Sequence, residues 1–122
     1  MRIAISEWNE MISPVFDETG TVRLVNLDTG EIQRLPLSGL AAGARAEVLR
    51  TAGVSDLLCG AISPFALKVL TMSGIRVHAW LHGPIDRALQ AFTHGDLDDP
   101  RFTMPGCQAL RDNPEQGMVE ET

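Results

Sequence analysis

Residues Ser55 to Leu97 constrain the fold more than any other stretch of the chain. They read as a buried strand, Asp56-Leu57-Leu58-Cys59, a tight turn at Gly60, and a helix from Phe65 to Met72. A second strand, Ile75-Arg76-Val77-His78-Ala79-Trp80, is followed by a Gly83-Pro84 turn and a last helix from Ile85 to His94. A strand, a crossover helix and a strand at this spacing predict parallel pairing, because parallel neighbours cannot be joined by a tight hairpin. Such connections are also overwhelmingly of one hand. The pattern places Cys59, Gly60 and His82 near the carboxyl ends of neighbouring strands, where open α/β sheets bind ligands.

The remaining elements complete a small mixed sheet. Arg2 to Glu7 alternates Ile3 and Ile5 with smaller or polar residues, as a strand near the sheet centre does. Trp8 to Gly20, broken by Pro14, reads as a loop. Val22–Leu27 and Glu31–Leu35 flank Asp28-Thr29-Gly30, a hairpin turn with glycine where positive φ is expected. Leu40 to Ala52 carries Leu40, Ala44, Val48 and Leu49 at helical spacing and stops at Gly53. Ser63-Pro64 is a helix start, with Ser as the cap and Pro in the first turn. In the last helix Ile85, Leu89 and Phe92 form the buried stripe. From Asp96 onward periodicity is lost, so the expectation is one domain over residues 1–97 and an acidic, mostly irregular tail over 98–122, mobile after Arg111.

At 122 residues the chain is one domain of ordinary size. Its net charge of −6 is concentrated in the tail: residues 1–95 hold nine acids and eight Lys/Arg, and residues 96–122 hold seven acids and two Arg. With no basic stripe and no Tyr, the electrostatic footprint of a nucleic-acid binder is missing. No apolar run approaches the roughly 20 residues of a membrane span, and the acidic turn at Glu7 is unlike a signal peptide. The expected location is cytoplasmic. Cys59 and Cys107 form neither a disulfide framework nor a C-x-x-C zinc half-site.

Four segments together resemble a known family. They are Met1-Arg2-Ile3-Ala4-Ile5, Ile12-Ser13-Pro14-Val15-Phe16-Asp17, Val25-Asn26-Leu27-Asp28-Thr29-Gly30-Glu31, and Gly74-Ile75-Arg76-Val77 leading to Ala88-Leu89-Gln90-Ala91-Phe92 with Gly95-Asp96-Leu97. In order and spacing they are similar to the dinitrogenase iron–molybdenum cofactor biosynthesis family, which includes NifX and the C-terminal part of NifB. The resemblance covers about residues 1 to 97. It implies an α/β, ribonuclease H-like fold: a five-stranded mixed sheet with an antiparallel hairpin and a parallel βαβ half, flanked by three helices, without nuclease activity. It also implies binding or carriage of a metal–sulfur cluster or its precursor, of iron–sulfur, iron–molybdenum or molybdenum–copper–sulfide type, for transfer between a donor and an acceptor protein. Family members often carry Ser-x-His-Phe-Gly after the first strand. Here Val15 stands where that His would be, so an imidazole ligand at that position is excluded.

A metal–sulfur cluster recruits soft thiolate and imidazole ligands, and the chain offers Cys59, Cys107, His78, His82 and His94. Cys59, Cys107 and His82 are the candidate metal ligands. His78, on a strand, and His94, at a helix end, have ordinary structural readings, His94 as a favourable dipole partner. Cys59 has one too, as a small buried strand residue. A preformed anionic cluster needs no covalent ligand, because backbone N–H groups in glycine turns and at helix starts bind anions. Gly60-Ala61-Ile62-Ser63 and Leu81-His82-Gly83 run into helix starts, with Ser13 on the facing loop, so Ser13, Cys59, Gly60, Ser63, His82 and Gly83 form the candidate cofactor site. The same turns also read as ordinary strand-to-helix connections.

Catalysis finds no motif: there is no Ser/His/Asp spacing, no H-E-x-x-H and no P-loop. Asp17, Glu18, Asp28 and Glu7 do not converge as a two-metal nuclease requires. The expectation is a non-enzymatic carrier. The other reading is a metal-free interaction or regulatory module, with Trp8, Met11, Val15 and Phe16 as a partner or homodimer surface. Alternatively, Val15 and Phe16 tuck under the hairpin.

Overall fold

The computed structural model describes residues 1–107. The expectation of an irregular tail falls largely on residues 108–122, and mobility after Arg111 wholly so, outside the described residues.

Ile3, Ala4, Ile5 and Ser6 are all buried, so the first strand, β1 (Arg2–Trp8), is covered on both faces. It pairs antiparallel with β3 (Thr21–Asn26) and parallel with β5 (Val54–Leu58). The order across the sheet is β4 (Ile32–Pro36), β3, β1, β5, β6 (Arg76–His78), with the two-residue β2 (Met11–Ile12) paired to β1. The antiparallel hairpin, the central first strand and the parallel β5–β6 pair match the sequence reading. The sheet is open, mixed and six-stranded, which corrects the expected count of five. The extra strand is β2, formed by a two-residue hairpin at Asn9-Glu10, where φ is 54° and 65°. Two successive positive φ values normally select Asn-Gly or Asp-Gly, and Glu at the second position concealed the turn in the sequence.

Among the described residues, three α-helices cover the two faces. On one, α1 (Ala42–Thr51) and α2 (Pro64–Met72) contribute Ala46, Leu49, Ala66 and Leu70, which close over Ala4, Val22, Leu24 and Leu57. On the other, α3 (Ile85–His94) lays Ile85, Ala88 and Ala91 over Ile3, Ile5, Val25 and Leu58. The α2 start is as the sequence implies: Ala66 N donates to Ser63 Oγ at 3.1 Å, with Pro64 in the first turn. Helix α1 begins two residues later than expected. The Leu40 carbonyl instead accepts Arg45 Nε at 2.8 Å, and the same buried guanidinium donates to Thr19 O at 2.6 Å.

Phe16 is fully buried in the α1/α2 core and Val15 remains 37% exposed, so the pair divides between the two expected roles. Strand β6 ends earlier than its alternation suggests, because Trp80 takes φ 64°. A bulky residue seldom adopts this left-handed conformation. The switch lets Ala79 and Trp80 pack toward α1/α2 while Leu81 enters the α3-side core. The segment after α3 returns to the sheet. His82 N donates to Phe102 O and Met104 N to Trp80 O, each at 2.8 Å, around the Leu81–Thr103 bridge.

The loop after β1 and the loop after β5 meet with almost no space between them. Ala61 N donates to Pro14 O and Phe16 N to Ala61 O, both at 2.8 Å. A Cβ on Gly60 would lie 2.5 Å from Pro14 O and 2.6 Å from Ser13 O, both main-chain atoms. Gly60→Ala is therefore expected to destabilise the protein by about 1–3 kcal/mol, the usual cost of overpacking a tight site. Urea unfolding at neutral pH measures it; an unchanged midpoint would show that the two loops part without cost.

Candidate functional site

Main-chain pairing at Gly60 decides which of the sequence candidates share a surface. Ser63 N and Oγ both donate to the Asp17 carboxylate, at 2.9 and 2.6 Å. The anion at the α2 N-terminus is thus the chain's own Asp17, and the Ala61 amide is taken by Pro14 O. Ser13 is buried, with its N–H donated to Ser6 O. Cys59 has no exposed surface and packs with the α1/α2 core. Burial pushes its thiol far above the ordinary value, and the nearby Asp17 charge adds to this. Its sulfur is thus out of reach of solvent and of any surface ligand in this arrangement. Cys107 is half-buried, its thiol 3.7 Å from Pro105 O.

His82 and Gly83 lie elsewhere, on the α3 side. They line a groove of about 690 Å³ together with Met11, Arg87, Gln90, His94, Asp96 and Arg101. That size lies within the range of small-molecule sites. Three elements build it. Helix α3 supplies Arg87, Gln90 and His94, three and four residues apart and therefore on one face. Strand β2 supplies Met11, held there by Ile12 N donating to Gly83 O at 2.9 Å. The returning segment supplies Arg101, gripped by Asp99 through Nε at 3.0 Å. His94 Nδ1 lies 2.9 Å from Gln90 O. Since a carbonyl only accepts, Nδ1 carries the proton, and Nε2 of a neutral ring keeps its lone pair free. Metal-binding histidines are oriented in this way.

The groove thus gathers two guanidiniums and two imidazoles around a single carboxylate, Asp96. Arg101 is held by Asp99, and Arg87, Gln90 and the imidazoles turn N–H donors to the groove, an arrangement that suits an anion. Among the described residues no three His, Cys, Asp or Glu side chains are grouped to hold a bare metal ion. Of the sequence candidates, the structure brings together His82 and Gly83 and separates them from Ser13, Cys59 and Ser63. Sequence reading missed Arg87, Gln90 and Arg101 and gave His94 only a dipole role. The available signal was the spacing 87, 90, 94 on the polar face of α3.

His78 has a structural partner. Its Nε2 lies 2.9 Å from Asp56 Oδ2, and its ring meets Phe92 edge-on at 5.5 Å. Burial alone would push the Asp56 carboxyl up, but hydrogen bonds from His78, Ser55 and Arg76, with the Arg76 charge, outweigh it and leave the carboxyl below its ordinary value. A depressed carboxylate stabilises the fold above its unfolded pKa, near 3.9, and that stabilisation is lost as pH falls through the folded value. The stability advantage of wild type over Asp56→Asn should therefore shrink between about pH 4 and pH 2. Urea unfolding across that range tests it; a constant difference would count against the linkage.

The thiol placement gives a second expectation. In the native protein a thiol reagent such as dithionitrobenzoate should label Cys107 promptly, and Cys59 only at the rate of unfolding. Rapid native labelling of Cys59, detected in a Cys107→Ser background, would contradict its burial.

Comparison with known proteins adds to this geometry. Residues 1–95 match the family model described as dinitrogenase iron-molybdenum cofactor. No curated protein matches the chain in sequence. Among solved structures, the apo form of the orange protein from Desulfovibrio gigas superposes with a TM-score of 0.68 at 25% identity, covering 86% of this chain and 92% of that one. A protein assigned as NifB from Thermotoga gives 0.68 at 21% identity, with 86% and 98% covered. A protein assigned as a dinitrogenase from Methanocaldococcus jannaschii gives 0.62 at 22% identity, with 79% and 90% covered. The latter two likenesses concern the fold alone. Among the described residues, no helix is long and apolar enough to cross a membrane.

Proposed function

Because the chain belongs to the dinitrogenase iron-molybdenum cofactor family, we propose that it binds an anionic metal–sulfur cluster or cofactor precursor non-covalently in the α3-side groove and passes it to an acceptor protein. The cargo class is an iron–sulfur, iron–molybdenum or molybdenum–copper–sulfide species. The observation that carries this reading is the convergence of Arg87, Arg101, His82 and His94 on one groove. The two arginines donate charge-assisted hydrogen bonds to sulfide or oxo edges. His94 Nε2 and the Met11 thioether are soft donors suited to an exposed metal of the cargo.

Holding the cargo by charge and hydrogen bonds, with no set of thiolate bonds to break, favours release to a partner. No bond in the cargo needs to be made or broken by the chain, so the role is carriage and not catalysis. Residues 1–97 form the cargo-binding domain in this reading, on a ribonuclease H-like scaffold, and residues 98–122 form its acidic tail. The family's association with cofactor assembly supports a cytoplasmic setting and cluster-handling partners. Trp8 is 64% exposed and is the cross-strand partner of Met11 at the groove's edge. That apolar site beside the cargo suits docking of the acceptor or of a second copy, and is the feature that also supports the metal-free interaction module.

The test is anaerobic equilibrium dialysis of the protein against tetrathiomolybdate, with and without copper(I), and separately against iron plus sulfide, reading metal content and visible absorbance. Stoichiometric retention is expected for at least one species. Arg87→Glu should weaken retention tenfold or more, about 1.4 kcal/mol, His82→Ala and His94→Ala should weaken it less, and Cys59→Ser should leave it unchanged. Absence of retention under every condition would sink the carrier reading and favour the interaction module.

A further inference from the structure

The α1/α2 side of the molecule carries an apolar stripe that no described residue covers. Helix α2 has one charged residue in nine, Lys68. It buries Ala66, Leu67 and Leu70 in the core, yet Phe65 is 67% exposed and Met72 78%. These are the two most exposed large apolar side chains among the described residues. Val69, half-buried at the edge of the core, completes the spacing i, i+4, i+7, so the three share one face of the helix. A helix that is apolar all round is normally covered all round. We propose that α2 is the seam of a homodimer, in which a second copy lays its own α2 antiparallel across the Phe65–Val69–Met72 stripe.

Two observations select a second copy as the occupant. The first is charge. The chain carries −6, so two copies repel and approach most easily where acids are sparse. Between Asp56 and Asp86 there is no Asp or Glu, a span that includes all of α2. On the elements beside the helix, Asp17 is held by Ser63 and Glu47 by Arg50, and Glu18 ends the short turn ahead of it. Lys68 flanks the stripe, where its long stem carries the ammonium to solvent. A single cation makes no basic rim for an anionic lipid surface, and the helix offers no carboxylate to a basic partner.

The second observation is self-complementarity. Phe65 and Met72 lie at opposite ends of the stripe, so a two-fold axis near Val69 places Phe65 of each copy against Met72 of the other. Rings and thioethers pair favourably, and one contact made twice closes both ends of the seam. The α3 groove lies on the opposite face of the sheet. A dimer joined through α2 therefore leaves both grooves open and offers two of them to a partner. This contact is independent of what either groove holds.

Sedimentation equilibrium of the full chain, up to millimolar concentration, tests it. A monomer–dimer equilibrium is expected, tighter at about 0.5 M than at about 20 mM salt, because screening weakens the repulsion between two acidic copies. Phe65→Glu and Met72→Glu should each weaken the dimer roughly tenfold or more. Ile32→Glu, at an exposed position of β4, should leave it unchanged. Both stripe side chains face solvent in the monomer, so the urea midpoints of the two variants should stay near that of wild type. Cross-linking fixes the orientation without either Glu variant. In a Cys107→Ser background, Phe65→Cys copies mixed with Met72→Cys copies should form a disulfide on mild oxidation, and neither should form one alone. A monomer at every concentration and salt would overturn the proposal. So would a dimer that survives both Glu substitutions, or one lost through Trp8→Glu alone, which would place the contact at the β2 turn. A monomer that instead binds vesicles of phosphatidylcholine and phosphatidylglycerol through Phe65 and Met72 would overturn it in favour of a lipid surface.

Discussion

The arrangement depends on a backbone contact at Gly60. The loops after β1 and β5 are hydrogen-bonded to each other so closely that no side chain fits at this position. The contact closes the α1/α2 end of the molecule. It seals Phe16 and Cys59 into the core and sets Asp17 on the start of α2. In an open α/β sheet the carboxyl ends of central strands form a crevice. Here that crevice is filled by the chain's own carbonyls and carboxylate, and the open groove lies on the α3 side.

On that side charges are arranged at two depths. Glu7, nearly buried, is ion-paired with Arg23 and with Arg34 at 3.1 Å, and Arg23 Nη2 also reaches Glu10 at 2.6 Å. Burial tends to raise the Glu7 carboxyl, but the two arginines outweigh that tendency and hold it below its ordinary value. This network ties the Asn9-Glu10 turn to the sheet, and Ile85 N donates to Glu10 O at 3.1 Å, fixing the start of α3 against the same turn. Removing one partner would leave a buried charge uncompensated, which is far costlier than the pair is stabilising. The groove cations lie outside this network. Arg87, His82 and His94 face solvent, and the Arg87 charge is free for a ligand.

Much of the fold was legible because its signals are local. Alternation in β1, the Ser63-Pro64 helix start and the 3–4 spacing of Ile85, Leu89 and Phe92 each identify an element without reference to the rest of the chain. The parts that escaped depend on distant partners. Strand β2 is two residues long, and its turn uses Glu10 in a conformation braced by Arg23 from another strand. The early end of β6 depends on Trp80 in a left-handed conformation with Gly60 and Met104 bonded to its main chain. The candidate site divided in the same way. His82 and Gly83 were singled out from their position after a strand, whereas Arg87, Gln90 and Arg101, which line the same groove, carry no motif. They share a surface only when α3, β2 and the returning segment converge.

From the sequence alone follow the α/β class, the hairpin and parallel halves of the sheet, the central first strand, the family resemblance and the concentration of acid at the C-terminus. All are properties of periodicity, composition or motif order, which neighbours along the chain express directly. The tertiary structure decided which chemistry reaches solvent. Cys59 and Ser63 precede a helix as plausibly as His82 and Gly83 do, yet the first pair is consumed by core packing and an internal carboxylate while the second opens onto a groove lined by Arg87 and Arg101. That choice rests on a contact between Gly60 and carbonyls 46 and 47 residues earlier in the chain. Steric fit over such a separation leaves no periodicity behind, so it has no signature in a single sequence.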